Sequence, residues 1–209
     1  MVQTARAQVP STIEYVPAAG QYRDAETKRF VPRSRILLEL DREKQATQAR
    51  MSGLTRRLAS GSLSVSEWQM QMGQSLKNSH IRLAALSAGG RSQITQRHLG
   101  VVGGRLRGEY ARIANFAQEM KAGQISVAQA IARSKLYAQS ALQTFHAGEK
   151  ISREQEGKTM AMRSLDPGAD HCRQCPGHAT GGFVPLSQIV AIGTDCDCRG
   201  NCRCSIIYR

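Results

Sequence analysis

"DCDCRGNCRCSIIYR", residues 195–209, contains four of the six cysteines in this chain of 209 residues. The other two, Cys172 and Cys175, lie a short way upstream in the stretch HCRQC. Clustered cysteines in a protein that folds in a reducing cytoplasm are more often metal ligands than disulfide partners. The C-terminal part of the chain is therefore predicted to bind a metal ion.

The spacing of these thiols predicts how they share an ion. Cys172 and Cys175 have the C-x2-C spacing of a zinc knuckle, in which both thiolates turn toward one ion. The next group of thiols, beginning at Cys198, follows after 22 residues, and a loop of that length can close a tetrahedral site. We expect Cys172 and Cys175 to supply one half of a structural zinc site. The other half comes from two of the following three cysteines, with Cys196 as the spare: Cys198, Cys202 and Cys204.

Two alternatives to this ligand set are open. His171 and His178 could each replace a thiol, although a histidine beside a knuckle is more often a surface residue. The six cysteines could also form a disulfide framework, for which about fifteen pairings exist. We favour zinc because a module of about sixty residues with few aromatic side chains buries too little surface to fold alone. A structural zinc can contribute about 10 kcal/mol or more to folding.

The rest of the chain has the pattern of a helical protein. Hydrophobic residues make up 41% of the chain and aromatic residues 5%, which is typical of an aliphatic helix bundle. Apolar residues recur at helical spacing in four segments between Arg33 and about residue 150. The sequence therefore predicts a mainly α fold with a small α+β zinc module. Its parts are an extended N-terminal arm at 1–32, an antiparallel helical domain at 33–150 and the cysteine-rich module at 151–209.

Capping residues mark where two of these helices begin. Ser64 with Glu67, and Ser126 with Gln129, have the spacing of a capping box, in which the two side chains bond to free amides of the first turn. Four glycines, Gly100, Gly103, Gly104 and Gly108, fall in the first half of the third helix. They indicate either close helix packing or a flexible hinge, since each costs about 1 kcal/mol relative to alanine.

The N-terminal arm is expected to order only against a partner. It contains three prolines and shows no helical period, with at most a short hairpin around YRDAETKRFV. The adjoining helix carries apolar Ile36, Leu37 and Leu40 before the polar stretch DREKQATQAR. Both features suggest a surface that meets another chain rather than the protein's own core.

Charge and targeting signals narrow the possible partners. The formal net charge is +13, with 29 Lys and Arg against 16 Asp and Glu, so we expect an acidic partner such as nucleic acid. The N-terminus lacks the apolar stretch of a signal peptide. No apolar run is long enough to span a bilayer, so no membrane partner is expected.

The C-terminal motifs resemble a known family. The stretches DHCRQCPGHATGGFVPL and IGTDCDCRGNCRCSIIY are similar to the last module of phage Mu F-type minor head (head morphogenesis) proteins. That family has tryptophan more usually where this chain has Phe183, and Cys196 is an additional thiol. The matching positions are Cys172, Cys175, Gly182, Phe183, Pro185, Gly193, Cys198, Asn201, Cys202, Arg203 and Cys204.

The resemblance implies a structural minor head protein of a tailed bacteriophage. Such a protein would assemble in the host cytoplasm and reside in the virion as an oligomer, at the portal or on the inner capsid surface near packaged DNA. No enzyme is expected, because the chain has no P-loop, dinucleotide-binding glycine motif or HExxH motif. The alternative is a zinc-containing nucleic-acid-binding protein, for which Arg56, Arg57 and the stretch GGRLRGEYAR are the candidate contacts.

Overall fold

The computed structural model describes residues 13–193, 196–198 and 202–209. Over these residues the chain is mainly helical, with short antiparallel strands and a cysteine-rich C-terminal module, which confirms the predicted fold class. The strands and helices, in chain order, are β1 Ile13–Val16, β2 Gln21–Asp24, β3 Phe30–Val31, α1 Arg33–Ala59, α2 Val65–Ala88, α3 Gln96–Lys121, α4 Val127–Gln155, β4 Met160–Ser164, α5 Gln174–Thr180, β5 Val184–Pro185 and β6 Ser205–Tyr208.

The four long helices form the helical body, with α2 packed against α1, α3 and α4. The apolar stripe of α2 supplies the centre of the core, where Trp68, Met72 and Leu76 are fully buried. Trp68 stands edge-on to Phe116 of α3, with ring centroids 5.1 Å apart. Both predicted capping boxes are present, at Ser64 and Ser126. Helical periodicity and capping residues therefore predicted these elements correctly.

The polar middle of α1 was expected to be exposed or to meet another chain, and half of its residues are exposed, but one face of it is buried within the helical body. Glu43 is buried and accepts hydrogen bonds from Arg50 at 3.0 Å and from Arg82 of α2 at 3.1 Å. Thr47 is fully buried and donates to Glu43 while its hydroxyl lies 3.2 Å from that of Ser79. Side-chain partners on α2 satisfy these polar groups, which is the condition for burying them.

Residues 13–32 of the predicted N-terminal arm are mainly extended, as expected, but the expectation that the arm stays outside the protein's own core is wrong for these residues. Strands β1, β2 and β3 form an antiparallel sheet, which includes the hairpin expected around YRDAETKRFV. Its buried side chains, Ile13, Tyr15 and Tyr22, pack in one cluster with Ile36 and Leu40 of α1. An alternation of two apolar residues in β1 supplies the buried face, and a helical period does not detect it.

An ion pair between a half-buried arginine and a buried glutamate joins the start of α1 to α4. Arg33 contacts both carboxylate oxygens of Glu149, with its Nη2 2.9 Å from Oε2. Tyr22 of β2 donates to the same carboxylate at 3.3 Å. Burial raises the pKa of Glu149, but the adjacent Arg33 outweighs it and the pKa is lowered overall. The carboxylate therefore stays ionised and holds the sheet, α1 and α4 together.

Glycines mark the closest approaches between elements, but not at the positions that the sequence suggested. A Cβ on Gly100, Gly103 or Gly104 of α3 would meet nothing within 4 Å, which argues against close packing there. A Cβ on Gly148 of α4 would instead lie 2.1 Å from the hydroxyl of Ser87. Contact between α2 and α4 therefore requires glycine at position 148.

The cysteine-rich module begins where α4 ends, at Gln155, so α4 runs past the boundary expected near residue 150. Its sheet has the order β5-β4-β6 and is antiparallel throughout. The module rests on α4, where the side-chain amide of Gln143 donates to the carbonyl of Gly193 at 2.9 Å. In the part of the chain described, no helix is long and apolar enough to cross a bilayer.

We predict that the N-terminal sheet is part of the cooperative core. Tyr15 is 5% exposed, with the guanidinium carbon of Arg153 3.3 Å from its ring centroid. Tyr15→Ala should therefore lower the free energy of unfolding by about 3 kcal/mol. Phe30→Ala in the same sheet is the matched control, because Phe30 is 53% exposed. Urea unfolding of the full chain measures both variants, and equal effects would contradict the prediction.

Candidate metal centre

Three short segments bring the six thiols to one place beside β4 and β6. Cys172 precedes α5 and Cys175 lies in its first turn, where the backbone N–H of Cys175 donates to the carbonyl of Cys172 at 3.1 Å. The loop after β5 carries Cys196 and Cys198. The side chain of Gln174 joins the first segment to this loop, because its oxygen accepts from the backbone N–H of Asp197 at 2.7 Å.

The sulfur atoms stand at distances suited to a shared cation. Cys198 Sγ lies 3.4 Å from Cys172 Sγ, 3.4 Å from Cys175 Sγ and 3.5 Å from Cys196 Sγ. Cys172 Sγ and Cys175 Sγ are 3.5 Å apart, and Cys202 Sγ lies 3.9 Å from Cys175 Sγ. Thiolates at about 2.3 Å from a tetrahedral ion stand about 3.8 Å from one another. The cluster could therefore hold a metal ion.

All six cysteines are free thiols, so the disulfide alternative does not describe this arrangement. A disulfide requires two sulfurs about 2.05 Å apart. The shortest sulfur–sulfur distances among the described cysteines are 3.4 Å, well beyond that length. Each of these thiols also has more than one sulfur neighbour or a histidine neighbour, which is the arrangement of a ligand cluster rather than of separate pairs.

The predicted ligands lie close together, and the cluster also contains residues that the cysteine spacing had not favoured as ligands. A tight group of four donors, within 4.8 Å of one another, consists of Cys172, Cys175, Cys196 and Cys198. Cys196, expected as the spare thiol, thus lies inside the cluster. A second group shares Cys175 and contains His171 and Cys204. His178 lies in the last turn of α5, outside both donor groups found among the described residues.

Two thiols differ in how readily they ionise. Burial opposes ionisation of Cys172, but the backbone N–H of Cys198 and the neighbouring thiols outweigh it and lower its pKa to about 6. Burial raises the pKa of Cys175 to about 11. In the absence of a cation, the thiols buried at the centre of the cluster would therefore stay protonated. A bound metal ion supplies the positive charge that lets them all act as thiolates.

Arg163 lies beside the cluster and was not identified from the sequence. It is 2% exposed and donates from Nη2 to the carbonyl of Val190 at 2.8 Å, and its Nε and Nη1 have no oxygen or nitrogen partner among the described residues. Its charge acts to lower the pKa of both Cys196 and Cys204. The alternation in β4, where Ala161 and Arg163 point inward, is the signal that would have found it.

His80 and Asp166, which could be considered as ligands because of their residue types, have structural roles. His80 lies fully buried in the helical body, with Nδ1 2.6 Å from the hydroxyl of Thr144 and Nε2 2.9 Å from Glu109. Asp166 is a turn residue whose carboxylate accepts from the backbone N–H of Gly168 at 3.0 Å. Asp195 lies outside the described residues.

Comparisons with protein-family models, with characterised proteins and with solved structures give no match. The assignment of the site therefore depends on the chemistry and geometry of its own donors.

Loss of one ligand should unfold the module selectively. Cys172→Ser removes a thiolate from the four-thiol group, and a structural metal can contribute about 10 kcal/mol or more to a small module. We expect new protease cleavage after residue 156 while the helical circular-dichroism signal is retained. Treatment with a chelator should reproduce this pattern in the unmodified chain. Ser187→Ala, an exposed position in the same module, is the control and should stay resistant.

Cleavage in the Cys172→Ser variant no faster than in the control would show that the thiol cluster does not support the module.

Proposed function

We propose that the cluster is a structural zinc centre. The observation that carries this proposal is that five thiols and one imidazole lie in two overlapping donor groups, with the sixth thiol, Cys202, 3.9 Å from Cys175 Sγ. A tetrahedral site of sulfur and nitrogen donors is typical of zinc or of an iron–sulfur cluster. A catalytic zinc usually keeps three protein ligands and an open position for water, whereas a donor set filled by cysteines is typical of structural sites.

We further propose that the chain is a structural minor head protein of a tailed bacteriophage. Support comes from the resemblance of the C-terminal motifs, whose cysteines lie together in the cluster. The helical body would dock on the portal or on the inner surface of the capsid, in several copies per virion. A metal-held module on a stable helical body suits a part that binds other subunits rather than transforms a substrate.

Packaged DNA is the second partner that we propose, and the net charge of +13 supports it. Much of the arginine in the body is used internally, as in the pairs of Arg33 with Glu149 and Arg82 with Glu43. Exposed positions remain on the surface at Arg56, Arg57 and Arg107. Such scattered cations suit contact with the phosphate backbone and give no sequence discrimination.

The test of the virion role is the composition of purified particles. We expect mass spectrometry to find the chain in the head of the phage that encodes it, with chemical crosslinks from the helical body to the portal or major capsid protein. Cys172→Ser should reduce incorporation, whereas Ser187→Ala should not. Particles that contain no trace of the unmodified chain would reject the proposal.

Binding to free DNA separates this proposal from its alternative. If the positive charge of the chain serves only to neutralise phosphates of packaged DNA, binding to a free duplex should be weak and independent of sequence. It should also weaken steeply as salt rises, as expected for counterion release. A gel-shift series over rising salt with two unrelated duplexes measures this. Strong preference for one sequence that survives raised salt would favour a zinc-containing nucleic-acid-binding protein instead.

A further inference from the structure

We propose that the module holds two metal ions, with the Cys175 thiolate as the bridge between them. This inference rests on the proposed zinc centre and adds a second ion to it. The first ion would take Cys172, Cys175, Cys196 and Cys198. The second would take Cys175 again, with His171, Cys202 and Cys204.

The number of donors fits two four-coordinate ions. Two separate tetrahedral sites need eight donor atoms, and the cluster offers six sulfurs, with Cys202 included, and one imidazole nitrogen. One sulfur that binds both ions makes up the difference. Cys175 is the residue shared by the two donor groups, and it is fully buried between them. One ion with four ligands would leave three of the seven donors without a role.

The imidazole of His171 is oriented as a metal ligand. Its Nε2 lies 2.8 Å from the backbone carbonyl of Asp166, which can only accept, so Nε2 carries the proton. The Nδ1 lone pair is then free, and Nδ1 lies 3.9 Å from Cys204 Sγ. Metal-binding histidines commonly donate their other ring N–H to a carbonyl in this way, which fixes the ring and its tautomer. A histidine without a ligand role would not require its ring orientation and tautomer to be fixed in this way.

Cys202 and Cys204 complete the second set of donors. Cys202 Sγ lies 3.9 Å from the sulfur of the proposed bridging residue, Cys175. Cys202 does not belong to the four-thiol group. Cys204 is buried and its sulfur lies 3.9 Å from His171 Nδ1, in the same donor group as Cys175. Cys204 immediately precedes β6 and Cys202 lies two residues before it, so the pairing of β6 with β4 holds this part of the chain in register.

Charge in the module also fits two ions. Six thiolates with two divalent cations carry a net charge of −2, whereas six thiolates with one cation would carry −4. Arg163 is a buried cation whose charge acts on both Cys196 and Cys204. A smaller net anion is more easily balanced by one buried guanidinium. Each ion that binds releases the protons of those thiols that were not already ionised.

The stoichiometry of metal binding tests the proposal on the full chain, purified under reducing conditions with zinc. Native mass spectrometry should show two zinc ions per chain. His171→Ala should lower this number to one, because the four-thiol group survives. Cys175→Ser should lose both ions. His178→Ala is the matched control, since His178 is a histidine of the same module outside both donor groups, and it should keep two.

Cadmium exchange gives a second readout that needs no variant. The 113Cd spectrum of the unmodified chain should show two resonances of equal intensity, one for a site of four sulfurs and one for a site of three sulfurs and a nitrogen. One zinc and one resonance, both unaffected by His171→Ala, would overturn the two-ion proposal and leave the single structural site standing. No bound metal at all would overturn both.

Discussion

Convergence of the thiols on Cys175 is the constraint on which the C-terminal module depends. The module has strands of five, two and four residues and one helix of seven. Of the seven buried residues in its core cluster, as far as the described residues show, three are cysteines. Elements this short bury too little apolar surface to fold by themselves. The metal–thiolate bonds would therefore supply the folding energy that side-chain packing supplies in the helical body.

The helical body is stabilised differently and supports the module. Its core is aliphatic and aromatic, closed at one side by the N-terminal sheet and by the ion pair of Arg33 and Glu149. Because α4 continues to Gln155 and contacts the loop after β5, the module is held against a rigid helix.

Sequence patterns predicted the parts of the molecule that depend on local rules. The helices follow from periodicity and capping, and the cysteine spacing predicts that Cys172 and Cys175 face an ion with later thiols. The inclusion of Cys196 was missed, because spacing tells which thiols can reach an ion and not how the loop between them folds back. The burial of Tyr15 and of Glu43 was missed for a related reason. Both depend on partners distant in sequence, Arg153 for the tyrosine and Arg82 for the glutamate.

X-ray absorption at the metal edge of the purified chain tests most directly whether the cysteines bind a metal as thiolates. We predict a first shell made mainly of sulfur at about 2.3 Å, with a minor nitrogen contribution near 2.0–2.1 Å. A first shell of oxygen and nitrogen alone would contradict a cysteine-held centre. So would a purified chain that carries no metal and has its six thiols joined as disulfides.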